Sequence, residues 1–390
     1  MSKKYIAIVG GELFNKGAQA MTFTVINEMK DKYPDAEILL LSSMDYERSE
    51  EDKANYKFEI LRWSIKDKIS IVSGKQTHLR EKLKKTILIF DISGFALSSQ
   101  RGFKPSVQYL LNIHIAKKFN IPMYLMPQSF GPFNYSMLES FVIKSMMKKL
   151  LRYPIVFARE EAGLAEVKDY NKNVKRSYDL VLQSSKEYDL EKIYHKIPNE
   201  KPLNIDEETV AIVPNMKLYE QGESPELLEQ IYRAIIVKLL ELEKKVLLLS
   251  HSTEDMKICK SIKNLFPDNK LVNIHQEEIN CVNIDRILNK VDFIIASRYH
   301  SIIHAYKNNT PAIVIGWAVK YDELLSTFGQ ERYLFQIKKS IDINKIVGMT
   351  EYLNLNQQKE KEKIRSKLLE VQTNNVFDSI LSKDKRWEKK

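Results

Sequence analysis

Short apolar runs rich in β-branched residues recur along the chain, and between them apolar residues return every three or four positions. The runs are the pattern of strands buried on both faces, and the spaced stretches are that of amphipathic helices. In the first half the pattern predicts strands at Tyr5–Val9, Glu37–Leu41, Ile87–Asp91, Met123–Met126 and Ile155–Ala158. The helix after the first strand carries Ala18, Met21, Val25, Ile26 and Met29 on one face. Helices at 105–119 and 136–151 follow the third and fourth strands. Over 185–207 the pattern decays, and Ile197-Pro198-Asn199-Glu200-Lys201-Pro202 reads as a linker. A second series follows, with strands at Thr209–Val213, Lys245–Leu249, Lys270–Asn273, Phe293–Ala296 and Ala312–Ile315. Its first helix, 225–243, turns Leu227, Leu228, Ile231, Ile235, Ile236 and Leu239 inward. The last stretch reads as a charged helix that frays over Lys383–Lys390.

Strands alternating with helices make βαβ units and parallel sheets. The expected fold class is α/β, with two Rossmann-like doubly wound domains facing across a cleft, a GT-B-like arrangement. The expected domains are 1–190 with the glycine-rich turn and Arg159, 205–350 carrying the main site, and a charged helix, 351–390, packing back on the first domain. A length of 390 residues suits two domains.

Composition narrows the function classes. With 44% hydrophobic and 29% charged residues the chain is globular, and a largely disordered protein is excluded. No apolar run approaches the ~20 residues of a membrane span. The N-terminus has two lysines and a short apolar run, which reads as a strand and not as a secretory signal. A cytoplasmic protein is expected. Cys259 and Cys281 have neither metal nor redox spacing and read as reduced thiols. Neither has a His–Asn partnership that would make it a nucleophile.

The net charge of +10 points to nucleic acid, an anionic membrane surface or anionic substrates. No helix-turn-helix, zinc-finger or RNP-type motif is present, so a nucleic-acid partner is not expected. Arg62, Lys66, Lys68, Lys75, Arg80, Lys82, Lys84 and Lys85 crowd one stretch. Lys144, Lys148, Lys149 and Arg152 share the 136–151 helix with Phe141, Val142, Met146, Met147, Leu150 and Leu151. That basic amphipathic helix either rests on the inner face of a membrane or packs on the sheet with a solvated basic face.

In parallel α/β sheets ligands gather beyond the carboxyl ends of strands. The unusual polar residues lie there. Ser297-Arg298-Tyr299-His300 follows the apolar strand 293–296 and opens a helix, whose start offers backbone N–H groups to an anion. Gly316, Trp317 and Lys320 follow the next strand, so Arg298, His300 and Lys320 come from one sheet edge. In the first half Gly10-Gly11-Glu12-Leu13-Phe14-Asn15-Lys16-Gly17 joins strand to helix without matching a dinucleotide or P-loop pattern. Ser93-Gly94, Pro127-Gln128-Ser129-Phe130-Gly131-Pro132 and Arg159-Glu160 follow later strands. Each has a structural alternative: Arg298 and Arg159 could pair with neighbouring carboxylates, His300 could cap its helix, and Lys320 could be solvated. His251 is either a cleft residue or structural. His304 lies one helical turn beyond His300, but no third ligand has metal spacing, so a buried, hydrogen-bonded His304 and no metal are expected.

Taken together, these residues resemble the polysaccharide pyruvyl transferases, over about 5–330. The most specific part is Ser297-Arg298-Tyr299-His300-Ser301, then Asn309-Thr310-Pro311 and Lys320. Gln128-Ser129-Phe130-Gly131-Pro132-Phe133 is similar to the family's Q-S-x-G-P-F segment, Asn15-Lys16-Gly17 to its N-x-G turn, and Ala158-Arg159-Glu160 and Asp179-Leu180 match in order. Many members carry an acid where this chain has Ala18, and a glycine run where it has Asp91-Ile92-Ser93-Gly94. The resemblance implies a GT-B-like fold and transfer of the pyruvyl group of phosphoenolpyruvate to a sugar of a glycan or lipid-linked precursor, with no cofactor. The roles expected are His300 as the catalytic proton donor with Arg298, an anion clamp of Arg159, Arg298 and Lys320, and Ser297 and Gly316 also around phosphoenolpyruvate. Gly11, Asn15, Gly17, Gln128, Ser129, Gly131 and His251 are expected on the acceptor or cleft side. Arginine forks suit carboxylate and phosphate geometry, and a positioned imidazolium can protonate the methylene carbon. The rivals are a nucleotide-sugar glycosyltransferase of the same layout, with Asp322 or Glu323 on the ribose, and a non-catalytic scaffold at the membrane surface.

Overall fold

Nearly every apolar run becomes a strand of one of two parallel sheets. The computed structural model describes residues 3–198, 205–221, 224–276, 279–337 and 341–381; residues 199–202 of the expected linker and Lys383–Lys390 lie outside these. The described residues form two compact units. The first comprises those up to Leu13, those from Ala18 to 198 and those from Asn374 onward; the second comprises Phe14–Gly17 and those from 205 to Thr373.

The first unit holds strands β1 (Tyr5–Val9), β2 (Glu37–Leu41), β3 (Glu59–Leu61), β4 (Thr86–Asp91), β5 (Met123–Gln128), β6 (Ile155–Ala158) and β7 (Lys175–Arg176). They pair in parallel in the order β3-β2-β1-β4-β5-β6-β7. Every residue of β1 is buried, as a central strand covered on both faces requires. Tyr5, Ala7 and Val9 join one core with Tyr109, Leu110 and Ile113 of helix Phe103–Lys118 and Ile143 and Met147 of helix Met137–Leu150. The remaining β1 side chains, Ile6 and Ile8, point to the opposite face.

The second unit repeats the plan with β8 (Thr209–Val213), β9 (Lys245–Leu248), β10 (Val272–Ile274), β11 (Ile294–Ala296), β12 (Ala312–Gly316) and β13 (Leu334–Gln336). Their order is β10-β9-β8-β11-β12-β13, again all parallel. Strand order reverses between β8 and β11 here and between β1 and β4 in the first unit, and at such switch points a crevice opens beyond the strand ends.

Three expectations change. The basic stretch from Arg62 is not one uniform surface: Lys68, Arg80 and Lys82 are drawn into packing, while Arg62, Lys66, Lys75, Lys84 and Lys85 stay exposed. Arg62 bonds Asp67 with two nitrogens, Lys82 pairs with Glu59, and Arg80 donates to the Ile71 carbonyl. Lys68 is buried, donates to the Gln108 carbonyl at 3.2 Å, and is pushed down to about 8 by burial. The stretch from 185 is not linker throughout, since Tyr194 is buried against Phe23 and Tyr56. The boundary at 350 falls inside one helix, Ile343–Gln372, which buries Ile346, Leu353, Ile364 and Leu368 in the second unit. Only from Asn374 does the chain rejoin the first unit, where the Val376 N–H donates to Gln183 Oε1 at 2.7 Å.

Candidate active site

The sheet of the second unit explains the Ser297–His300 segment. β11 ends at Ala296, and the chain turns at its carboxyl edge into helix Tyr299–Lys307. Ser297 fixes this turn: its N–H bonds the Val213 carbonyl, its own carbonyl accepts from Asn215 Nδ2 (3.0 Å) and Tyr321 Oη (2.9 Å), and its hydroxyl lies 3.2 Å from Tyr232 Oη. It is 1% exposed. Ser297, expected against the substrate, braces the turn.

Arg298 meets two acids. Its Nε donates to Asp255 Oδ2 at 2.7 Å, and its Nη2 donates to Asp255 Oδ1 at 2.6 Å and Glu254 Oε1 at 2.5 Å. Burial works against the guanidinium charge, but these carboxylates hold it firmly protonated. Burial raises the Asp255 carboxyl, against the pull of Arg298. Among the described residues Nη1 carries no hydrogen bond. The fork is thus aimed by two of its nitrogens and presents the third. No side chain caps the helix that begins here.

His300 sits on glycine. A Cβ on Gly17 would stand 2.3 Å from the imidazole Cγ, so only a glycine allows this seat. The Asn15–Gly17 turn belongs to the second unit, where the Lys16 N–H approaches the His251 carbonyl (3.5 Å) and the Gly17 N–H donates to Asn15 Oδ1 (3.1 Å). His251 is buried, with its ring 5.5 Å from that of His304. Burial, then the neighbouring His304, His300, Arg298 and Lys16, push it well below the ordinary histidine value, and its Nε2 has no hydrogen-bond partner among the described residues. His304 is buried with Nδ1 2.5 Å from Asp285 Oδ1. Burial alone would raise Asp285; His304 and Lys307 bring it below the usual carboxylate range. Among the described residues no three ligands gather in a metal-binding group.

Lys320 follows β12 on helix Val319–Thr327. Its Nζ lies 5.1, 5.3 and 5.5 Å from the ring centres of Tyr299, Trp317 and Tyr321, a cation held in an aromatic cage. Gly316 is a packing residue, since a Cβ there would meet Leu334 and Tyr321 at 3.0 and 3.1 Å. Asp322, one candidate for a ribose contact, accepts from Gln336 Nε2 at 2.6 Å.

In the first unit the carboxyl edge of β5, β6 and β7 is tied by Arg159. Its Nε bonds Glu160 (2.9 Å), its Nη1 Asp179 (2.8 Å) and its Nη2 the Ser129 hydroxyl (2.7 Å), and the four residues are all buried. Ser129 in turn donates to Glu160 and, through its N–H, to the Gly94 carbonyl. Expected to clamp an anion, this guanidinium bonds the loops after β5, β6 and β7 through all three of its nitrogens. Gln128 is buried too, with Nε2 3.5 Å from the Asp91 carbonyl. Gly131 has φ +74° and packs against Glu166; Gly11 packs against Thr22 and Leu40. These glycines serve close packing of their own loops.

Two features escaped the sequence reading. Glu254 and Asp255 follow β9 and aim Arg298; applying the strand-end rule to β9 beyond His251 would have found them. Glu12 lies one residue past Gly11 at the carboxyl end of β1, half-buried. Burial, then Asp45, raise its carboxyl above the usual range, Arg101 opposes them, and among the described residues it has no hydrogen bond or ion pair. A lone glutamate in a glycine-rich turn carries no sequence signal beyond its position.

Comparisons with known proteins bear on this arrangement. No curated protein matches the chain. Among solved structures, Staphylococcus aureus MnaA with UDP is similar at TM-score 0.56 and 13% identity, covering 93% of this chain and 91% of that one. The UDP-GlcNAc 2-epimerase of Methanocaldococcus jannaschii is similar at TM-score 0.55 and 13% identity, covering 91% and 93%. A TarM mutant of S. aureus, with UDP among its ligands, reaches TM-score 0.56 at 11% identity, covering 99% and 100%. Identities this low speak for the fold alone, and the fold is GT-B. The family model for polysaccharide pyruvyl transferase matches residues 15–319, from the turn under His300 to the residue before Lys320. With most of its length so matched, the chain belongs to the polysaccharide pyruvyl transferase family.

Proposed function

We propose that this chain transfers the pyruvyl group of phosphoenolpyruvate to a sugar, forming a pyruvate ketal and releasing phosphate in the cytoplasm. The observation that carries this reading is the edge of the second sheet: an arginine fork aimed by two acids, an imidazole seated on glycine and a caged ammonium all follow β11 and β12. The dianionic donor is held by Arg298 and Lys320 at the uncapped start of helix Tyr299–Lys307, where backbone N–H groups add to the field.

The chemistry follows from the donor. His300 gives a proton to the methylene carbon, which becomes a methyl group, and positive charge develops at C2. A sugar hydroxyl bonds to C2 and loses its proton. The C2–O bond to phosphate then breaks, phosphate leaves with that electron pair, and a second hydroxyl closes the ketal. The acceptor, a glycan or lipid-linked oligosaccharide, binds at the carboxyl edge of the first sheet. Glu12, in the turn after β1, accepts the proton of the attacking hydroxyl, and Ala18, in the helix that follows, offers no acid. Arg159 positions this edge through Ser129 and Asp179.

A ligand that binds the folded state raises its melting temperature. Phosphoenolpyruvate should therefore stabilise the wild-type chain, and Lys320→Ala should shift the midpoint of that effect at least tenfold upward in concentration. Stabilisation by a UDP-sugar with none by phosphoenolpyruvate would replace this reading with that of a nucleotide-sugar glycosyltransferase.

A further inference from the structure

Helix Met137–Leu150 leaves its apolar start in solvent. Met137 is 88%, Leu138 80%, Phe141 77% and Val142 39% exposed. The opposite side is anchored, with Ile143, Met147 and Leu150 in the core of the first unit. A capping box between Ser136 and Glu139 closes the first turn, so these side chains stand on an ordered helix start and not on a frayed end. The rest of the outward side is basic: Lys144, Lys148 and Lys149 are exposed, and Arg152 is exposed just past the last turn. At about 100° per residue, Met137, Phe141, Lys144, Lys148 and Arg152 fall on one outward stripe, with Leu138, Val142 and Lys149 on its flank. Along the helix the stripe therefore changes from apolar to cationic.

The charge selects the occupant. A second copy meeting this side about a twofold axis would set like cations against each other, in a chain of net charge +10. An anionic bilayer satisfies both halves, because its acyl boundary takes apolar side chains and its headgroups take cations. We propose that helix Met137–Leu150 docks this chain on an anionic lipid surface. Met137, Leu138 and Phe141 enter the boundary, and Lys144, Lys148, Lys149 and Arg152 lie at the headgroups. The proposal is independent of which donor and acceptor the chain uses.

The test is sedimentation of the full chain with vesicles containing phosphatidylglycerol and with pure phosphatidylcholine vesicles. The wild type should partition to the former, and each cation replaced among the four should cost roughly fivefold in affinity. The variant Leu138→Ser/Phe141→Ser should lose the partition while keeping its melting temperature, since both side chains are exposed. With Phe141→Trp, tryptophan emission should move to the blue on adding the anionic vesicles. Wild-type chain left in the supernatant with both vesicles, undiminished binding of the double serine variant, or unmoved emission from the introduced indole would overturn the proposal. So would a dimer in solution that the double serine variant dissolves.

Discussion

At residue 17 the difference between hydrogen and methyl decides where an imidazole can stand. A Cβ there would lie 2.3 Å from His300 Cγ, well inside contact distance, so the family's N-x-G turn acts here as the seat of His300, for which we propose the role of proton donor. Glu12 gives the clearest pH dependence. Its carboxyl is raised above the ordinary 4.5, first by burial and then by Asp45, so it stays protonated to a higher pH than a solvated glutamate. A base must be deprotonated; turnover should therefore be lost as pH falls through that raised value and be intact above it. The acid limb of kcat/KM should lie above the usual carboxylate range, and Glu12→Gln should remove that limb and lower kcat by about 10²–10⁴-fold. An acid limb unchanged in the variant would remove Glu12 from the reaction. Arg159 shows the limit of reading residues singly. An arginine after a strand signals either a ligand clamp or a buried tie, and only its three bonded nitrogens show it to be a tie.

Elements were legible where their own pattern was strong. The central strands β1, β2, β6 and β8 lie where their apolar runs predict, because burial on both faces leaves no polar position to blur the run. The edge strands β3, β7 and β13 have two or three residues and passed unnoticed; so few residues carry no periodicity, and their pairing is supplied by the neighbouring strand. The long helix near the C-terminus was read as charged and divided at 350. Its charges are real, but it buries Ile346, Leu353, Ile364, Leu368 and Val371 on both sides of that division. Leu353→Ala should accordingly cost about 2–5 kcal/mol of stability. In urea titration that loss should lower the midpoint and leave the slope unchanged. A change under about 1 kcal/mol would show that this helix is not a structural part of the second unit. The polar edge after β11 and β12 was legible because its residues directly follow apolar strands in sequence, where parallel sheets gather ligands. The acids that aim Arg298 were not, because they come from β9, far off in sequence.

Across the whole chain, neither unit is one continuous stretch. Phe14–Gly17 belong to the second unit although they are bracketed by residues of the first, and residues from Asn374 return to the first. A division into consecutive domains at a linker misses both crossings, since hydropathy records burial and not the partner that supplies it. The first crossing matters for chemistry, because it delivers Gly17 to His300. The excess of positive charge is likewise shared out: Lys68, Arg80 and Lys82 serve packing, Arg298 and Lys320 follow β11 and β12, and Lys144, Lys148 and Lys149 stay exposed. The central claim is that His300, held on Gly17, protonates the donor's methylene carbon. Phosphate release from phosphoenolpyruvate, followed across a panel of sugar acceptors, tests it directly. The wild type should release phosphate only with a competent acceptor. His300→Ala should abolish release while still being stabilised by phosphoenolpyruvate, and Gly17→Ala should slow it by about 10²-fold through displacement of the imidazole. Near-normal release from His300→Ala would contradict the account.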